Sequence, residues 1–74
     1  MKANEYEKAL SDLTEVLRLR PTYAEAYHRR GLAFQSLGRN EAAIEDYKAY
    51  LRFAPNEESR EDARKHLRES GFVD

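Results

Sequence analysis

Residues 24–55 read AEAYHRRGLAFQSLGRNEAAIEDYKAYLRFAP, and their spacing decides the fold. Apolar or small residues recur at Tyr27, Gly31, Phe34 and Leu37, then at Ala43, Ile44, Tyr47, Tyr50 and Leu51. Steps of three and four put each set on one face of an α-helix. Between the sets, Leu37-Gly38-Arg39-Asn40 forms a tight corner. The stretch predicts two amphipathic helices folded into a hairpin. Nothing in it looks reactive; it has the pattern of a unit that stacks on copies of itself.

Working outward, a helix is expected on either side. The first runs from about Glu5 to Leu19, with Tyr6, Ala9, Leu10, Leu13, Val16 and Leu17 on one face. Asn4 with Glu7 forms one capping box and Thr22 with Glu25 a second, each pairing a side-chain acceptor with a carboxylate three residues later. Pro21 closes the first segment, because the residue before a proline avoids helical ψ. Gly38 ends the second segment and Gly71 the fourth by taking the left-handed conformation. The fourth opens at Asn56 or Ser59 and carries only Ala63 and Leu67, followed by Phe72 and Val73, as a thin apolar stripe. Period-two alternation is missing, so strands are not expected. Arg30 lies beside the apolar face, where its stem should pack inward and its guanidinium reach water.

Placing the first segment on the third exposes a repeat. Pro21 and Pro55 stand 34 residues apart, and at that offset Glu7/Glu41, Ala9/Ala43, Asp12/Asp46, Leu17/Leu51 and Arg18/Arg52 are identical. With Ala24, Tyr27, Gly31, Phe34, Leu37-Gly38, Ala43-Ile44, Tyr47 and Pro55, the chain resembles the tetratricopeptide repeat (TPR) family, whose period is about 34 residues. The resemblance implies an all-α protein of antiparallel helical hairpins, stacked as a short right-handed solenoid of about four helices. Residues 1–74 form a single domain: 2–23 the second helix of a partial repeat, 24–57 one complete repeat, 58–71 a C-terminal capping helix. Tyr50 and Val16 stand where the family has a small residue, which calls for adjusted packing, and Asn40 replaces the usual aromatic after the corner.

Composition sets the function classes aside. The 74 residues are 41% hydrophobic and 36% charged, enough for helices with one buried stripe and one solvated face each. Thirteen basic against fourteen acidic residues, a net charge of -1, argue against a nucleic-acid footprint or a membrane-surface helix. No apolar run approaches the ~18 residues of a membrane span, the N-terminus has no signal-peptide core, and cysteine is absent, which fits the cytoplasm.

Catalysis finds no support. His28 and His66 fall on different helices without a ligand pattern, and both read as solvated positions rather than metal or catalytic groups. The acidic pairs Glu45-Asp46 and Glu57-Glu58 read as exposed faces and helix starts. No catalytic, cofactor or metal residue is expected. The basic residues Arg60, Arg64, Lys65 and Arg68 are interleaved with Glu61, Asp62 and Glu69, which suits a salt-bridged surface better than a DNA-recognition helix.

Binding through shape remains. In the family the first helix of each repeat lines a groove that holds a partner peptide or helix. Carried over, the groove residues are Glu25, His28, Arg29, Leu32, Gln35 and Ser36, with Arg29 and His28 placed to hold a carboxylate and Leu32 as an apolar contact. The alternative is self-association. One repeat cannot bury its own apolar face, and the first helix lacks the partner that would precede it. Leu13, Val16 and Leu17 then offer an apolar edge to a second copy or to a helix exchanged between chains.

Overall fold

In the computed structural model, residues 3–72 are described, and they form four α-helices: α1 (Ala3–Leu19), α2 (Ala24–Ser36), α3 (Asn40–Phe53) and α4 (Glu57–Glu69). The central hairpin is α2 on α3, with α1 packed on α2 and α4 on α3. No strand occurs among the described residues. The architecture is a short all-α helical repeat. Lys2 and Val73, which the sequence reading assigned to the two ends, lie outside the described residues.

The two glycine stops form as expected, and by the same chemistry. Gly38 takes φ 77° and Gly71 φ 85°. Around Gly38, the Gly38 amide donates to the Gln35 carbonyl (3.0 Å) and the Arg39 amide to Phe34 (2.8 Å). Around Gly71, the Gly71 amide donates to Arg68 (3.1 Å) and the Phe72 amide to Leu67 (3.0 Å). These crossed bonds satisfy carbonyls that the helix end leaves open. Phe72 then folds back against the core beside Leu67.

The helix starts are less regular. Asn4 already lies inside α1, so it does not cap that helix. The N-cap of α2 is Tyr23, without a side-chain bond, so the Thr22–Glu25 box does not form. Tyr27 supplies a different tie: its phenol donates to the Pro21 carbonyl at 2.8 Å and pins the α1–α2 turn. At α4 the first alternative holds, since Asn56 accepts the Ser59 amide at 2.8 Å.

Two clusters make the core. Ala24, Tyr50 and Ala63 form one, with Tyr27, Leu51 and Phe53 against it; Ala43, Tyr47 and Leu67 form the other, with Phe34 and Ile44. Ala63, fully buried on α4, provides the small neighbour that lets the bulky Tyr50 fit where the family has a small residue. Gly31 serves a close approach of another kind than helix against helix. A Cβ there would stand 2.6 Å from Tyr47 Cε1, so the missing side chain makes room for the fully buried Tyr47 ring.

Two surface expectations are overturned. Asp46 is only 4% exposed, not part of a solvated acidic face. Arg30 does not simply reach water: its Nε and Nη2 donate to the two Asp46 oxygens, each at 2.8 Å. This planar fork is the geometry in which a charge pair tolerates burial, because both lone-pair sets find donors. The guanidinium also lies over the Tyr27 and Phe34 rings. Glu45, by contrast, is exposed as expected.

Candidate functional site

The expected groove face of α2 divides in two. Glu25, Arg29, Leu32 and Ser36 are exposed, whereas His28 and Gln35 are drawn inward. Gln35 accepts the Tyr47 phenol at 2.7 Å. Arg29 donates from Nε to Glu25 at 3.1 Å, so its charge is already partnered along the helix. The carboxylate clamp of Arg29 with His28 is therefore not assembled. His28 turns toward α4, and Arg29 points the other way.

On that other side, α1 and α2 enclose an open trench. One part, of about 360 Å³, is lined by Tyr6, Ala9, Asp12, Leu13, Arg29, Leu32 and Ala33. The adjoining part, of about 350 Å³, is lined by Leu13, Val16, Tyr23, Glu25, Ala26 and Arg29. Leu13 and Arg29 belong to both. Leu32 is 38% exposed and Tyr23 44%, large apolar groups left facing solvent. The groove candidates Glu25, Arg29 and Leu32 thus share one surface with the self-association candidates Leu13 and Val16. Leu17 differs from these two in being buried within the chain.

The histidines are not solvated. Their side chains are 19% and 18% exposed, and Nε2 of His28 lies 3.1 Å from Nε2 of His66. The His28 ring stacks on Tyr50 and the His66 ring on Tyr47. Asp62 sits beside both, with Oδ2 3.6 Å from Nε2 of His28 and Oδ1 3.6 Å from Nε2 of His66, and Oδ2 accepts the Tyr50 phenol at 2.9 Å. Burial, with the Glu69, Asp46 and Asp62 carboxylates nearby, pushes the Tyr47 phenol up to about 12. Burial and then the hydrogen bond to Asp62 push Tyr50 up to about 12 as well. Two signals in the sequence bear on this grouping. Asp62 and His66 are four apart on one helix face, and Asp62 stands 34 residues after His28, in the same register of the next hairpin.

These features define a class first: helical hairpins stacked in series, with a shallow trench on one flank. The sequence model of one family, the tetratricopeptide repeat, matches residues 1–68, and the chain belongs to that family. Such repeats are generally non-catalytic protein-interaction modules. Among curated proteins the chain is 38% identical over 47 residues to serine/threonine-protein phosphatase T of Trypanosoma brucei brucei, covering 64% of this chain and 10% of that protein. It is 43% identical over 44 residues to tetratricopeptide repeat protein 28 of Homo sapiens, covering 60% of this chain and 2% of that one. A UPF0162 protein of Xylella fastidiosa is 34% identical over 62 residues, 84% of this chain and 22% of its own. The chain thus spans a tenth or less of the first two relatives. No solved structure matches. No described helix is long and apolar enough to cross a membrane.

Proposed function

We propose that this chain is a protein-interaction module whose α1–α2 trench takes a peptide or helix from a partner protein. In this reading α2 and α3 are the complete repeat, α1 the second helix of the repeat before it, and α4 the cap. The observation that carries the proposal is the exposed Leu32 facing Leu13 across the trench, with the Glu25–Arg29 pair at its rim. Removing a leucine side chain from water contributes roughly 1.5–3 kcal/mol, and a rim charge adds orientation rather than affinity. An apolar side chain on a partner helix fits the trench better than an acidic tail, because Arg29 is already paired.

A peptide-display selection against the intact chain tests this. The enriched peptides should carry an apolar anchor and lose at least about tenfold in affinity on Leu32→Glu, the loss expected from one anchor of roughly 1.5–3 kcal/mol. Binding indifferent to both Leu32→Glu and Leu13→Glu would sink the proposal.

A second reading gives the same trench to a second copy of the chain, and it is favoured by Leu13 and Val16 lining that surface. Sedimentation over a dilution series separates the two. A dimer that Leu13→Glu dissociates supports self-association, and a monomer at every concentration refutes it.

A further inference from the structure

We propose that His28, Asp62 and His66 form a binding site for a borderline divalent transition metal, with zinc as the natural occupant, that ties α2 to α4. The three side chains are the one grouping among the described residues whose donor atoms converge for a metal, all within 4.8 Å of one another. They are two imidazole nitrogens and a carboxylate, a donor set that suits zinc, cobalt, nickel or copper rather than calcium or magnesium.

The spacing matches the chemistry. Ligands about 2.0–2.1 Å from one tetrahedral ion are roughly 3.3–3.4 Å from one another. Here the two Nε2 atoms are 3.1 Å apart, Asp62 Oδ2 lies 3.6 Å from Nε2 of His28, and Asp62 Oδ1 lies 3.6 Å from Nε2 of His66. A turn of the Asp62 carboxylate that brings one oxygen towards both rings admits an ion. Three protein ligands leave a fourth position for water, and Asp62, 40% exposed, keeps the site open to solvent.

The surroundings also have the form of a metal site. Nδ1 of His28 is 3.5 Å from Glu25, and Nδ1 of His66 faces Glu69 at 3.8 Å. A carboxylate behind a ligating histidine orients the ring and fixes the proton on the nitrogen away from the metal. Tyr50 plays the matching part for Asp62 by donating to it. Stacking on Tyr50 and Tyr47 holds both rings in place.

Two imidazoles whose Nε2 atoms are 3.1 Å apart face three carboxylates, those of Asp62, Glu25 and Glu69. A divalent cation at the centre would take both Nε2 lone pairs and an Asp62 oxygen while leaving each Nδ1–H for its glutamate. Because α4 packs on α3 and not broadly on α2, the ion would add a link between the first helices of successive hairpins.

The test uses the untagged chain, freed of metal by chelation, with Co2+ as the spectroscopic probe and Zn2+ as competitor. One equivalent of Co2+ should produce the visible bands of a four-coordinate nitrogen and oxygen site, and Zn2+ should abolish them while raising Tm. Removing a group that hydrogen-bonds to a ligating side chain costs about 10–100-fold in metal affinity, so loss of a ligand itself in His28→Gln, His66→Gln or Asp62→Asn should weaken binding at least about tenfold. Helicity by circular dichroism in the metal-free state identifies any variant that fails to fold. Nitrogen-15 shifts of the two imidazoles in the unmutated chain give an independent readout, since Zn2+ should move Nε2 of both rings. Absence of saturable Co2+ binding, equal binding by the His28→Gln/His66→Gln chain, or imidazole shifts unmoved by Zn2+ would each overturn the site.

Discussion

Gly31→Ala is the sharpest test of how the central hairpin is packed. The added Cβ would stand 2.6 Å from Tyr47 Cε1, 2.8 Å from Cδ1 and 3.2 Å from Cζ. The ring cannot easily step aside. It is fully buried, its phenol is tied to Gln35 at 2.7 Å, and its face is stacked on His66. Overpacking of this kind costs about 1–3 kcal/mol, while alanine in a helix interior gains about 0.8–1.0 kcal/mol over glycine. With the ring held on three sides the clash outweighs the propensity, so the substitution should destabilise by up to about 2 kcal/mol, a fall in Tm of up to roughly 16 °C for a domain of this size. The same substitution in a Tyr47→Leu background has no ring to meet, so only the propensity gain is left and the sign should reverse. Thermal melts of the four proteins give the coupling directly. A rise in Tm for Gly31→Ala alone, or the same change in both backgrounds, would refute the packing argument.

Asp46→Ala leaves the Arg30 guanidinium without its partner. Removing one member of a buried pair costs about 3–5 kcal/mol, but Arg30 is 21% exposed and can partly rehydrate, so about 2–3 kcal/mol is expected in urea melts. Adding Arg30→Met to Asp46→Ala should restore part of that loss; a further loss would contradict the pairing. At alkaline pH the tyrosines act together. Their folded values of about 12 lie above the ordinary 10, so folding favours the protonated phenols. Their contribution is complete below pH 10 and is lost as pH rises from 10 through 12, because the unfolded chain releases its protons first. Metal-free Tyr47→Phe should flatten the decline in stability over that window, and an unchanged slope would count against buried neutral phenols.

How much of this was legible in the chain alone differs from feature to feature. The spacing of Tyr27, Gly31 and Phe34, the stops at Gly38 and Gly71 and the cap at Asn56 are governed by interactions within about one or two turns, so local pattern predicts them. The failure at Thr22–Glu25 is also local, but Tyr27 ties the turn through Pro21 instead, a bond that no capping rule contains. Of the residues expected on the groove face, Glu25, Arg29, Leu32 and Ser36 are exposed on α2. His28 and Gln35 are drawn inward, because α3 and α4 set their burial.

By itself the sequence determined four helices, their order and their 34-residue echo, since helical periodicity and glycine stops depend on neighbours in the chain. Only the tertiary structure decided which charges and rings meet. Arg30 and Asp46 are 16 residues apart, and His28 and His66 are 38. Whether such groups face water or each other depends on how one helix lies against the next, and the spacing that marks a helical face carries no record of what is packed across it.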